Sequence, residues 1–169
     1  MDHHQRALLA DTVRAALAGA GNTDADADAV LAELGWSEML VAEPDAAIAI
    51  VCTELGRCNA TATVLDDVLL HALGLASGLE RAVLLPPFGA SAVAADDDVV
   101  IGLASHRVAT ASELVVAHDA SIDVVPIDAV EVTPVHGIDP SARLYTVRVN
   151  LSQSRGASWD PDYRGPRTP

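Results

Sequence analysis

Apolar residues recur every three to four positions through the first part of the chain, which is the period of an amphipathic helix. This pattern predicts a first helix over residues 2–18 and a second over residues 23–34. The short apolar segment 39–41 is interpreted as a link between helices. Pro44 then fits the first turn of a further helix, where its missing N–H costs nothing.

The stretch 45–75 predicts a helical hairpin against which the earlier helices pack. Residues 46–55 are apolar on nearly every face, which is typical of a helix surrounded by other protein. Gly56 is expected to end this helix, and Thr63 to cap the next one. The second helix combines an apolar stripe, expected in the core, with polar positions expected to face water. The stripe comprises Leu65, Val68, Leu69, Ala72, Leu73 and Ala76, and the polar positions are Asp66, Asp67 and His71.

After Gly78 the helical period is replaced by short β-branched segments separated by turn residues. An apolar run over residues 81–85, cut off by two prolines, comes before the first predicted strand. Strands are predicted at 91–94, 99–103, 113–117, 122–125, 130–133 and 144–149. Helices followed by strands indicate an α+β fold.

Three segments are therefore predicted. Residues 1–78 form an N-terminal bundle of about four helices, and residues 79–150 form a small antiparallel β-sheet or partial barrel. Residues 151–169 contain three prolines and two glycines, and are expected to be a disordered tail. Trp159 and Tyr163 could anchor a partner there, although a loose tail without that role is the favoured interpretation.

The net charge of −14, with no lysine in the chain, argues against some partners. Such a surface repels phosphate backbones and anionic lipids, so neither nucleic-acid nor membrane binding is expected. Aromatic residues make up only 3% of the chain, which leaves few surfaces for stacking bases. No apolar run reaches the roughly 20 residues of a membrane span, and no signal peptide is recognised, so a cytoplasmic location is expected.

Several side chains invite a chemical role, but a structural interpretation is favoured for each. Cys52 and Cys58 are expected to be buried, reduced thiols, since their spacing fits no metal or redox motif. His3 and His4 are expected to be solvated. The aspartates at 96–98 lack the spacing of a calcium loop and are expected to form a tight hairpin turn.

Glu54 is the one acid in a strongly apolar context. Burial could raise its pKa into a range useful for proton transfer. Pairing with Arg57, three residues away on the same helix, is the favoured alternative.

The chain contains no motif that carries a reaction by itself. It lacks a Gly-x-Ser-x-Gly elbow, a phosphate-binding loop and the Gly-x-Gly-x-x-Gly fingerprint of dinucleotide sites. We therefore predict no catalytic residue and no metal ligand, and we assign no cofactor-binding residue.

The order of several short phrases resembles a known family. Leu-Ala-Glu-Leu-Gly-Trp (31–36), Thr-Glu-Leu-Gly-Arg (53–57) and the leucine-rich helix after them are similar to the N-terminal helical domain of acyl-CoA dehydrogenases. Leu-Leu-Pro (84–86) is similar to the link into that family's middle β-domain. Residues 112–116, 130–134 and 139–148 resemble the late strands of that domain.

The resemblance, which covers roughly residues 5–150, implies the chemistry of FAD. Members of the family remove the α-proton of an acyl-CoA thioester with a carboxylate base while a hydride passes to the flavin, in fatty acid or lipid metabolism. This chain departs from the family pattern at three places. It lacks the glycine-rich stretch before the central helix, and it lacks the Thr-Glu-Pro and Trp-Ile-Thr-like phrases that meet the flavin. From the resemblance, we also expect it to lack the C-terminal helical domain that carries the catalytic glutamate.

These departures lead to a functional hypothesis. We expect an accessory or regulatory subunit of a larger FAD-dependent acyl-CoA dehydrogenase-type complex, in a homo- or hetero-oligomer. The chain is expected to be non-catalytic and to bind no flavin alone, so whether it takes part in an enzyme depends on the partner. The alternatives are an independent binder of an acyl or polyketide-like molecule, or a residual fragment without function.

Overall fold

The computed structural model describes residues 2–21, 26–96, 98–118, 121–137 and 142–158. The chain divides into two compact units, Met1–His71 and Ala72–Pro169. The sequence pattern had placed this boundary seven residues later, at Gly78. The first unit is helical and the second is built mainly of strands, as the predicted α+β class requires.

The described residues form five helices, one more than the bundle of about four that was predicted. They are α1 (His3–Gly21), α2 (Ala27–Glu33), α3 (Trp36–Ala42), α4 (Pro44–Cys58) and α5 (Val64–Ala72). The additional helix is α3, where the sequence pattern indicated only a link. At seven residues it is too short to show a helical period, and it begins directly after Gly35, whose φ of 78° favours glycine.

Local signals explain most helix ends. Asp26 caps α2, because its side chain accepts a hydrogen bond from the backbone N–H of Asp28. The predicted cap Thr23 lies outside the described residues. Gly56 does not end α4 as predicted, since the helix continues to Cys58 and stops at Asn59, which adopts a left-handed conformation with φ 50°. Asparagine tolerates that conformation better than most residues.

The core of the helical unit lies between α1, α2, α3 and α4. Its fully buried side chains include Val13, Leu17, Leu31, Leu40 and Val51. Helix α4 is central in this core, but only one of its faces is buried. Cys52 lies on the other face and is exposed, so the expectation that it is buried is wrong. Both cysteines are free thiols.

The buried face of helix α5 differs from the predicted one. Leu65, placed in the core by the apolar stripe, is 51% exposed, whereas Asp66 and Asp67 are buried. Burial of Asp67 is compensated by a partner, because the indole Nε1 of Trp36 donates a hydrogen bond to its carboxylate at 3.0 Å. A buried donor therefore determines which face of this helix is covered.

The β unit contains eight short strands within the described residues. They are β1 (Arg81–Val83), β2 (Ala95–Asp96), β3 (Val99–Ala104), β4 (Glu113–His118), β5 (Ser121–Pro126), β6 (Val130–Pro134), β7 (Tyr145–Asn150) and β8 (Arg155–Ser158). Five of the six predicted strands are found within one or two residues of their predicted ends. The strand predicted at 91–94 is instead β2, and the apolar run 81–85 contains β1.

The strands form two four-stranded sheets, in the orders β1-β4-β5-β8 and β2-β3-β7-β6. All pairs are antiparallel except β1 with β4, which is parallel. The predicted antiparallel sheet is thus two sheets with one parallel pair. Inward-facing residues of both sheets form a single core that includes Leu114, Val116, Val125, Val147 and Val149.

The two sheets are joined at one edge, as in a partial barrel. Just after β1, the chain crosses from one sheet to the other: Leu84 donates its backbone N–H to Val115 on β4, and Leu85 forms a bridge with Leu103 on β3. Gly102 lies at this crossing. A Cβ atom there would lie 2.3 Å from the carbonyl oxygen of Leu85, so only glycine fits without a shift.

The structure also differs from the prediction at the start of the tail. Residues Leu151–Gln153 form a short 3-10 turn, and β8 pairs with β5. The rest of the predicted tail, with Trp159 and Tyr163, lies outside the described residues. Among the residues that the structure describes, no helix has the length and apolar character of a membrane span.

Candidate functional site

Glu54 on α4 is the most deeply buried acid of the helical unit, at 1% exposure. The guanidinium of Arg14, on α1, donates two hydrogen bonds to the Glu54 carboxylate. Nε donates to Oε2 at 2.7 Å, and Nη2 donates to Oε1 at 2.9 Å. Arg57 Nη1 donates to Oε1 at 2.7 Å. The predicted pairing with Arg57 is confirmed. Sequence spacing gave no signal for Arg14, which is 40 residues away.

These contacts determine the charge of Glu54. The hydrogen bonds from Arg14 are the main cause that lowers its pKa below the ordinary carboxyl value, and they outweigh burial, which acts in the opposite direction. Glu54 in turn raises the pKa of Arg14. A carboxylate held in this way remains ionised and is a weak proton acceptor. Glu54 therefore joins α1 to α4 and is not a poised general base.

This ion cluster predicts a pH-dependent contribution to stability. Since the pKa of Glu54 is lowered in the folded protein, its stabilisation is present above the ordinary carboxyl pKa and is lost as pH falls through the lowered value. We expect Glu54→Gln to lower the urea midpoint at about pH 7, and the difference from wild type to shrink by about pH 3. Urea unfolding followed by circular dichroism across this pH range measures the difference in midpoint.

Asp11→Asn is the matched control for that experiment. Asp11 also accepts a hydrogen bond from Arg14, at 2.9 Å, but its side chain is 71% exposed. Solvent weakens such a pair, so Asp11→Asn is expected to change the midpoint little at any pH. Equal effects of the two substitutions would contradict the assignment of a special role to Glu54.

A second polar cluster lies where β4, β5 and β8 meet. His118 Nε2 is 2.7 Å from Asp123 Oδ2 and 3.3 Å from the hydroxyl of Ser121. The hydroxyl of Ser154 donates to the other oxygen of Asp123 at 2.5 Å. These residues face the same side of the sheet as core residues Leu114 and Val116, since cross-strand partners share a face.

Serine, histidine and aspartate occur together here, but not in the arrangement of a hydrolase. In a catalytic triad the carboxylate binds one ring nitrogen of histidine and the serine contacts the other. Here Asp123 and Ser121 both contact Nε2 of His118. That nitrogen cannot donate to the acid and accept the serine proton at once, so the cluster is a set of structural hydrogen bonds. This cluster was not predicted from the sequence, although the hairpin register that pairs His118 with Ser121 is a usable signal.

A cavity of about 230 Å³ lies at the end of the β6–β7 hairpin. Its lining residues are Pro134, Val135, His136, Gly137, Arg143, Leu144 and Tyr145. None of them was singled out in the sequence analysis. The wall thus combines apolar side chains with a guanidinium, an imidazole and a phenol.

The remaining candidates occupy structural positions. Asp96 pairs with Val99 across the β2–β3 turn, and Asp98 has a left-handed φ of 64°, as expected for a tight hairpin. Asp97 lies outside the described residues. His3 and His4 are exposed in the first turn of α1. The sequence predicts no metal ligand at these positions, and this stays a prediction.

The class of the fold follows from this order of parts. A helical unit followed by a two-sheet β unit is the fold of acyl-CoA dehydrogenase-type chains, as the sequence resemblance predicted. No protein-family model matches the sequence, and no curated protein matches it.

Two solved structures are similar to this chain. One is the ChsE4-ChsE5 complex from Mycobacterium tuberculosis, with 16% identity, a TM-score of 0.52 and 94% of this chain covered. The other is the Tcur3481-Tcur3483 steroid ACAD, with 14% identity, a TM-score of 0.51 and 91% covered. The chain spans 57% of the length of each matched chain. At this identity the likeness shows the fold alone.

Proposed function

We propose that this protein is an accessory subunit of a larger FAD-dependent acyl-CoA dehydrogenase-type complex and does not dehydrogenate alone. The observation that carries the proposal is the fold it shares with chains whose structures are named as pairs, ChsE4-ChsE5 and Tcur3481-Tcur3483. A chain with this fold is suited to assemble with an unlike partner that has the same architecture.

The chemistry of the helical unit favours the role of a non-catalytic accessory subunit. Dehydrogenation of an acyl thioester needs a carboxylate that can take up the α-proton. Glu54, the buried acid that the sequence analysis considered for proton transfer, is held ionised by Arg14 and Arg57. In the proposed complex the partner subunit supplies the base and holds the flavin.

The proposal is tested by purifying the tagged protein from its native host under gentle conditions. We expect a complex in which a second, larger chain is present in fixed stoichiometry and the preparation shows the visible absorbance bands of bound flavin. Light scattering gives the mass of the complex, and mass spectrometry identifies the second chain. The protein expressed alone in a heterologous host is the control and is expected to be colourless.

Two results would overturn the proposal. Flavin bound by the chain expressed alone, with turnover of an acyl-CoA, would make it a complete dehydrogenase. A stable, colourless monomer in its native host, with no flavoprotein partner, would instead favour an independent binder of a small molecule.

A further inference from the structure

The cavity at the β6–β7 hairpin is lined by a cation that has no counter-charge among the residues that the structure describes. Arg143 lines it, and within the described parts of the chain no carboxylate lies within 4.0 Å of its guanidinium. Other arginines differ: Arg14 and Arg57 pair with Glu54, and Arg81 pairs with Glu113 at 3.0 Å. In a protein of net charge −14, a guanidinium that no described carboxylate neutralises is available to an external anion.

The other lining residues restrict the kind of anion. Pro134, Val135 and Leu144 make one part of the cavity wall apolar. Such a wall favours a ligand with a hydrocarbon part and disfavours a small, strongly hydrated ion. Tyr145 and His136 add polar groups that can donate hydrogen bonds to an oxygen atom.

The size of the cavity is sufficient for a short hydrocarbon part. A buried cavity of about 150 Å³ is known to hold benzene, with its six carbon atoms. The volume here, about 230 Å³, therefore accommodates a ligand of six or a few more non-hydrogen atoms. It lies below the roughly 300–1,000 Å³ that is usual for pockets of drug-sized ligands.

From charge, wall and volume together, we infer that this cavity binds a short-chain monocarboxylate of about the size of butyrate. The planar guanidinium of Arg143 donates two parallel N–H hydrogen bonds to the carboxylate, the bidentate geometry for which arginine is best suited. The alkyl chain lies along Pro134, Val135 and Leu144. Arg143 is exposed at the cavity mouth, so water competes for the carboxylate and the affinity is expected to be modest.

Binding is tested on the full-length protein by NMR titration with three probes. Butyrate is the expected ligand, butyramide has the same shape without the charge, and inorganic phosphate has charge without the alkyl chain. We expect butyrate to bind with a dissociation constant of roughly millimolar order. Butyramide and phosphate are each expected to bind at least about tenfold more weakly.

Variants locate the site. Arg143→Met is expected to weaken butyrate binding at least about tenfold. Arg143→Lys is expected to give an intermediate loss of affinity, because lysine keeps the charge but cannot form the bidentate pair. Arg148→Met is the matched control, because Arg148 is an exposed arginine on β7 that does not line the cavity. It is expected to bind as wild type does. Far-UV circular dichroism verifies that each variant is folded.

The inference is overturned by any of four outcomes. These are no butyrate binding by the wild type, equal binding of butyramide, phosphate binding as tight as that of butyrate, or unchanged binding by a folded Arg143→Met variant. None of these outcomes bears on the proposed partner subunit, because all the described residues that line the cavity belong to one hairpin of this chain.

Discussion

Replacement of Leu40 by alanine is expected to lower the free energy of unfolding by about 2–5 kcal/mol, the usual cost of removing a fully buried leucine side chain. Leu40 lies on α3, is completely buried and belongs to the core of the helical unit. The cost has two parts, the lost transfer free energy of the side chain and the cavity that remains. The close packing of this core, to which Trp36 and Val51 also belong, limits how far the site can collapse.

Val41→Ala is the matched control, one residue further along the same helix. Val41 is 61% exposed, so its truncation is expected to change stability by less than about 0.5 kcal/mol. Urea unfolding followed by tryptophan fluorescence and far-UV circular dichroism measures the stability of both variants. Similar costs for the two would contradict the helical placement of residues 36–42 and favour the irregular link expected from the sequence.

Gly102→Ala is expected to destabilise the β unit by about 1–3 kcal/mol or more through overpacking. The new methyl group would meet the carbonyl oxygen of Leu85 at 2.3 Å and the side chain of Leu84 at 2.9 Å. The nearest obstacle is backbone, which cannot rotate away as a side chain can. It moves only by breaking the two hydrogen bonds, 2.7 and 2.9 Å long, that join Leu85 to Leu103.

The control for this substitution is Gly56→Ala. Gly56 lies within α4, and a Cβ atom there has no neighbour within 4 Å. Alanine is favoured over glycine inside a helix, so this variant is expected to gain up to about 1 kcal/mol. Thermal unfolding by calorimetry measures the change in stability of both variants. A neutral Gly102→Ala variant would mean that the two sheets are not joined as described.

The sequence predicts secondary structure well where residues repeat at a clear period. Strand β7 alternates buried and exposed residues over its length, and its prediction was correct to one residue. Helix α3 was missed because seven residues hold barely two turns. In α5 the period was recognised but the buried face was wrong, since hydrophobicity alone cannot foresee that the indole of Trp36 provides a partner for Asp67.

Contacts between side chains were predictable only when they were local. The pair Glu54–Arg57 lies one helical turn apart and follows from spacing. Arg14 and Ser154 reach their partners only after distant segments have packed, so nothing in the spacing of the chain identifies them. The cavity beside Arg143 belongs to the same class, because its shape depends on the conformation of a hairpin.

The bridge between Leu85 and Leu103 has a consequence for association of the protein with itself. The exposed backbone groups along the edge of a sheet can pair with a strand of another molecule. Among the described strands, the neighbour of β3 on that side is β2, which has two residues and covers Val99 and Val100. Leu85 covers the opposite end, and the partly exposed Ile101 lies between. A change that displaces Leu85 would therefore open this edge, and aggregation should accompany the loss of stability.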